Sequence, residues 1–207
     1  MWFAMVGCGV TRSEVKLSMP AASAPSEASS ADRPASIRSV VDERAFEEHV
    51  TNQSTPSLGS GGAARASSDV KSRAVGRKGT VDHPLGDVLL EPGQTVAIVV
   101  GQNVAAALQK AGYRVTSNVE DAGPSPLILD VHIKQFWSWF EPGTWTVTLH
   151  AIISTTIDIE GRSDPISLTE EWSRASQTGN DSSWTEVLEG ALQRYRRQLV
   201  ARLTTEP

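Results

Sequence analysis

The stretch LILDVHIKQFWSWFEPGTWTVTLHAIISTTIDIE, residues 127–160, decides the fold, and it has the pattern of a long β-hairpin. From Leu127 the apolar residues take odd positions (Leu127, Leu129, Val131, Ile133, Trp137, Trp139), while Asp130, His132, Lys134 and Ser138 take even ones. A period of two is that of a strand with one buried face. Beyond Glu141-Pro142-Gly143-Thr144 the alternation resumes on odd positions, from Trp145 and Val147 to Ile159. Opposed residues in a hairpin share a face, so odd must pair with odd, and the connection must hold an odd number of residues or a bulge. A two-residue primed turn is disfavoured, because proline fixes φ at about −65° where such a turn needs positive φ.

Outward from the hairpin, two amphipathic helices flank it in sequence. The first is expected from Thr95, as N-cap, to Ala111, with Val96, Val100, Val104 and Leu108 as an i, i+4 stripe and Gly112 just past its end. The second is expected over 181–203, with Trp184, Leu188, Leu192, Tyr195 and Leu199 on one face. Ser183 and Glu186 have capping-box spacing. Further strands are expected at Ile37–Val41, at Tyr113–Val115 and from Ile166 to Trp172. The expected architecture is two-layer α+β: an antiparallel sheet of about four to five strands with two amphipathic helices packed on one face.

The domain limits follow from composition. Residues 9–36 are rich in Ala, Ser and Pro and carry little that could form a core, although Val15-Lys16-Leu17-Ser18-Met19 is a short extended candidate. They are expected to be a disordered tether with a root-mean-square reach of roughly 30 Å. The folded domain is expected over 37–207, with a mobile polar loop at about 47–71 centred on Ser57-Leu58-Gly59-Ser60-Gly61-Gly62. A hydrophobic fraction of 39% in 207 residues agrees with one domain plus a stretch outside the core.

Charge and cysteine usage exclude several classes. A net charge of −5 argues against nucleic acid as a general partner. With Cys8 as the single cysteine, neither an intramolecular disulfide nor a cysteine zinc site can form. Met5-Val6-Gly7-Cys8 is similar to a lipobox, the motif whose cysteine receives a lipid, and it follows a short apolar run from Trp2. Residues 1–8 are therefore read as a truncated lipoprotein signal, with lipid attachment at Cys8. No stretch reaches the roughly 20 apolar residues of a transmembrane helix, so attachment to a membrane is expected through lipid.

Catalytic motifs are not found in the sequence: neither a phosphate-binding glycine loop, nor a G-x-S-x-G elbow, nor H-E-x-x-H. His132 and His150 both fall on the polar face of the hairpin, in a register that sets Lys134 opposite His150. A lysine there disfavours a divalent metal. Neither a metal, a cofactor nor a catalytic residue is assigned. Asp42 and Arg44 share a side of an extended segment and are expected as a pair that holds the long loop, with a binding role as the alternative. Lys71, Arg73, Arg77 and Lys78 form a basic cluster that a solvated loop explains.

The aromatic residues are the least bland feature. Trp137, Trp139 and Trp145 are expected on the core face, while Phe136 and Phe140 point to the opposite face at the same end. Apolar residues on both faces require a second cover, either the 37–90 segment or a partner. Phe136, Phe140, Trp137, Trp139 and Trp145 together are the candidate partner surface.

The lipobox-like Met5-Val6-Gly7-Cys8, the strand ending in Asp42-Glu43-Arg44, the helix leading into Ala111-Gly112-Tyr113-Arg114-Val115, the long hairpin and the C-terminal helix resemble the YajG-type uncharacterised bacterial lipoproteins. The resemblance implies an outer-membrane lipoprotein whose periplasmic α+β domain has no assigned catalytic residues. Gly9, following the cysteine, is not the aspartate that signals inner-membrane retention in enteric bacteria. The resulting expectation is a lipid-anchored protein of the bacterial envelope, facing the periplasm, with a non-catalytic binding or assembly role and an envelope protein as partner. The alternative is a soluble small-molecule-binding domain or hydrolase using the His132/His150 face or the 47–71 loop.

Overall fold

The computed structural model describes residues 12–20, 33–59, 61–116, 118–176 and 180–205. In chain order the elements are β1 (Ser13–Val15), β2 (Arg33–Asp42), α1 (Ser68–Arg73), β3 (Ala74–Gly79), β4 (Pro84–Leu90), α2 (Val96–Lys110), β5 (Tyr113–Thr116), a 3₁₀ turn at Glu120–Ala122, β6 (Leu127–Pro142), β7 (Val147–Ile159), β8 (Ile166–Ser176) and α3 (Asp181–Thr205). The expected hairpin is β6–β7, antiparallel from Leu129↔Ile159 to Pro142↔Val147, and β8 continues it antiparallel.

The expectation of a four-to-five-stranded antiparallel sheet is corrected. Among the described residues the sheet has eight strands and is mixed, because β2 joins β6 in parallel and carries β5 in parallel, while β1 joins β4 in parallel. Parallel neighbours come from distant parts of the chain, so no local turn announces them. β6 is the trunk of this sheet. One edge pairs with β7 along its length; the other edge forks, with β2 beside Leu127–Ile133 and β3 beside Ser138.

A β-bulge at Lys134 organises the hairpin. Ile133 pairs with Thr155 and Gln135 with Ser154, which leaves Lys134 as the extra residue. An inserted residue reverses the alternation beyond it. Before the bulge Leu129, Val131 and Ile133 face α2 and α3; after it Phe136 and Phe140 do so, opposite Ile153 and Leu149 of β7. Trp137 and Trp139 are turned to the other face, where they form a second cluster with Leu58, Ala63, Ala74 and Leu89. The expected facing of the tryptophans and phenylalanines is thus inverted by one residue.

The two long helices cover one face. Thr95 caps α2, its hydroxyl accepting from the Ile98 amide at 3.2 Å, and Gly112 adopts φ 87° after its end. α3 starts two residues before the expected cap. Asn180 fills that position, its Oδ1 accepting from the Ser183 amide at 3.1 Å, while Glu186 pairs with Arg174 instead. Gly190 lets Trp172 of β8 pack on α3, since a Cβ there would sit 2.4 Å from the indole nitrogen. The main core between helices and sheet includes the fully buried Trp184, Tyr195, Phe136 and Leu108.

Two stretches of the expected tether, 12–20 and 33–36, belong to the fold. β1 pairs with β4, Leu17 is 1% exposed, and residues 33–36 lie in β2. Gln94 clamps Leu17, accepting from its amide at 3.0 Å and donating to its carbonyl at 2.8 Å. Few apolar residues suffice here because the backbone itself is paired. The loop expected to be mobile is packed: Val50, Leu58 and Ala63 are buried, and Glu47 bridges to Ser57.

Candidate functional site

Arg44 occupies the fork of the sheet. Where β2 and β3 separate beside β6, main-chain carbonyls lose their strand partners, and a buried carbonyl without a donor is costly. The Arg44 side chain is fully buried and donates to Phe136 O at 3.1 Å, to Ala74 O at 2.5 Å and to Lys71 O at 2.8 Å. Its remaining donors form a two-pronged bond to Asp42, with Nε–Oδ1 and Nη2–Oδ2 both at 2.8 Å. The guanidinium has a planar fork of five donors, which suits this task where an ammonium would not. The group ties the end of β2 to α1, β3 and β6, so its geometry is that of a structural knot.

The second face of β6 is covered by the chain itself. Phe46 meets Trp137 edge to face at 6.1 Å, and the Trp137 indole donates to Gln53 O at 3.1 Å. Gln135 donates to Ser54 O at 2.9 Å. Trp137, Trp139 and Phe136 are buried and Phe140 is half-buried, so these four members of the candidate partner surface lie within the domain. Trp145 stands apart at 91% exposure, in the turn closed by Gly143 N donating to Thr146 O at 2.8 Å.

The histidines occupy separate settings. His132 lies between Glu43, 2.6 Å from its Nδ1, and Asp158, 3.2 Å from its Nε2; Lys134 also pairs with Glu43. Hydrogen bonds from Lys134 and then His132 hold the Glu43 carboxyl below the usual carboxylate range. His150 stacks on Trp139 with ring centres 5.0 Å apart and lies 3.5 Å from both Glu141 and Glu171. Lys134 is not opposite His150, because His132 pairs with Thr156 and His150 with Trp139. A groove of about 730 Å³ beside α3, lined in part by Asn103, Trp172 and Arg196, contains neither histidine.

Cys8 lies outside the described residues, four positions before Arg12. The basic cluster is dispersed over separate partners: Arg73 on Glu14 and Asp69, Arg77 on Ser57, and Lys78 on Asp181 and Ser13. Sequence reading missed the buried Asp87, which accepts from the Gly59 amide at 2.8 Å and holds the glycine-rich segment against β4. The turn-like run Leu85-Gly86-Asp87 concealed it.

These features define a mixed-sheet α+β domain with one face under two helices and the other partly under its own loop. No protein-family model matches the sequence, and no curated protein matches it. Among solved structures the chain is similar to protein XCC0632 of Xanthomonas campestris, described as DUF330, at 12% identity and a TM-score of 0.51 over 92% of each chain. It is more loosely similar to an uncharacterised protein, at 12% identity and a TM-score of 0.41 over 95% of this chain and 98% of that one. The lipoprotein GNA1162 of Neisseria meningitidis gives 9% identity and a TM-score of 0.29 over 79% of this chain and 99% of that one. At such identities the likeness to XCC0632 concerns the fold alone, and the two looser ones carry no argument.

Proposed function

We propose that this chain is a lipid-anchored protein of the bacterial envelope, of the YajG-like kind, attached through Cys8 and acting by binding or assembly rather than by chemistry. The observation that carries the reading is the sequence Met5-Val6-Gly7-Cys8, with the single cysteine of the chain placed just ahead of the first strand of the domain. The side chains first considered for function fit a non-catalytic role. Arg44 and Asp42 are spent on main-chain carbonyls and on each other, and the aromatic face of β6 is packed by residues 46–66. The outer membrane, facing the periplasm, is the proposed location, because Gly9 follows the cysteine.

The test is expression in a bacterium with a complete lipoprotein signal sequence joined ahead of Met5, with labelled palmitate. Label should enter the protein and vanish in Cys8→Ser. Labelling that persists in that variant, or is lacking in the unsubstituted protein, overturns the anchor.

A further inference from the structure

The strand registers place the start of the domain and two exposed apolar tips at one end of the sheet. Ser13 of β1 pairs with Val88, Val88 with Gly76, and Gly76 with Ser138, so four strands are level at these residues. From that level β3 and β4 run to a turn at 80–83, where Thr80 N donates to His83 O. β6 and β7 run in the same direction to the turn bearing Trp145. β1 enters the sheet from this same end, because it is parallel to β4 and β4 begins there.

The distances agree along all three paths. Cys8 lies five residues before Ser13, His83 five before Val88 and Gly143 five after Ser138. Five residues span at most about 17 Å in extended chain. An anchor on Cys8 therefore cannot hold the domain much farther from a surface than its two tips protrude. Those tips carry Trp145, 91% exposed, and Leu85, 63% exposed, two of the four large exposed hydrophobic residues among those described. The other two, Val41 and Ile98, lie in β2 and the first turn of α2.

We propose that this end of the domain seats directly on a phospholipid bilayer, with Trp145 and Leu85 at the boundary between headgroups and acyl chains. The proposal rests on the lipid anchor at Cys8. Tryptophan favours that boundary, where its ring meets hydrocarbon and its N–H meets water. The exposed charges nearby are mixed: Asp82, Glu141 and Asp181 are acidic, while Arg12 and Arg174 are each paired with a carboxylate, Asp87 and Glu186, so attachment does not draw on anionic headgroups. A zwitterionic bilayer is the partner that fits.

Because the chain has one cysteine, the full-length protein can be coupled at Cys8 to a maleimide lipid in phosphatidylcholine vesicles. Trp2→Phe is used throughout to remove the tryptophan next to the anchor. Emission should fall when the vesicles contain bromine-labelled phosphatidylcholine, and Trp145→Ser should lose most of that fall, while Ile98→Ser retains it. Absence of quenching, or quenching undiminished in Trp145→Ser, overturns the proposal. The substituted side chain is exposed, so the fold is not at stake. Chemical coupling makes this result independent of acylation in the cell, which the palmitate experiment tests separately.

Discussion

The Arg44 guanidinium donates to the main-chain carbonyl of Phe136 at 3.1 Å, joining a residue just past the end of β2 to the middle of β6 across 92 positions of sequence. It stands where the sheet divides, and it replaces the strand neighbour that the fork removes.

Arg44→Met leaves Asp42 without its cation and takes a donor from the carbonyls of Phe136, Ala74 and Lys71. Breaking a buried pair in this way costs about 3–5 kcal/mol. The urea midpoint should fall accordingly. Arg44→Lys should recover only part of the loss, because an ammonium cannot form the two-pronged bond to Asp42.

Gly76 is the bridge between β3 and β6, and a Cβ there would lie 2.8 Å from the Ser138 carbonyl oxygen and 2.3 Å from its hydroxyl oxygen. Main chain cannot yield as a flexible side chain does. Gly76→Ala is expected to cost about 1–3 kcal/mol by overpacking, measurable by thermal unfolding.

Trp137 holds the 46–66 segment through its ring contact with Phe46 and its bond to Gln53. Trp137→Ala should destabilise the protein by about 3–5 kcal/mol. It should also expose this segment to limited proteolysis under conditions where the unsubstituted chain is resistant. Cleavage at equal rates in both proteins would show that the segment does not depend on Trp137.

At the acidic end, Glu43 is held below the usual carboxylate range by Lys134 and then His132, and Asp130 by Arg38 and then Ser39. With folded pKa values below unfolded ones, their contribution is present above the unfolded values, about 4, and is lost as pH falls through the folded ones. Stability should therefore decline below about pH 4, and Glu43→Gln combined with Asp130→Asn should flatten the decline. Urea titrations at a series of pH values measure it.

At the alkaline end, burial raises the pKa of Tyr195, whose hydroxyl meets Thr155 at 2.9 Å. The unfolded phenol ionises near 10, so the contribution is whole below that value and is lost as pH rises beyond it. Tyr195→Phe should be less stable at neutral pH by about 1–3 kcal/mol, through the unpaired Thr155 hydroxyl. Its stability should then vary less between pH 9 and 11. Parallel alkaline curves for the two proteins would contradict the assignment.

The sequence by itself determined the hairpin, both long helices, the cap at Thr95 and the pairing partners Asp42 and Arg44, because each rests on local periodicity or on residues a few positions apart. It also supplied the Cys8 motif. Tertiary structure decided what depends on distant segments: the parallel addition of β1, β2 and β5, the packing of residues 46–66 and the burial of Leu17 by Gln94. It decided the facing of the aromatic residues as well. Lys134 looks like any polar strand residue in sequence, yet as a bulge it turns every later side chain of β6 to the other face. The reason is that alternation fixes only which residues share a face. Which layer covers each face is set by neighbours more than 60 residues away, such as Ala74 and Leu58 against Trp137 and Trp139.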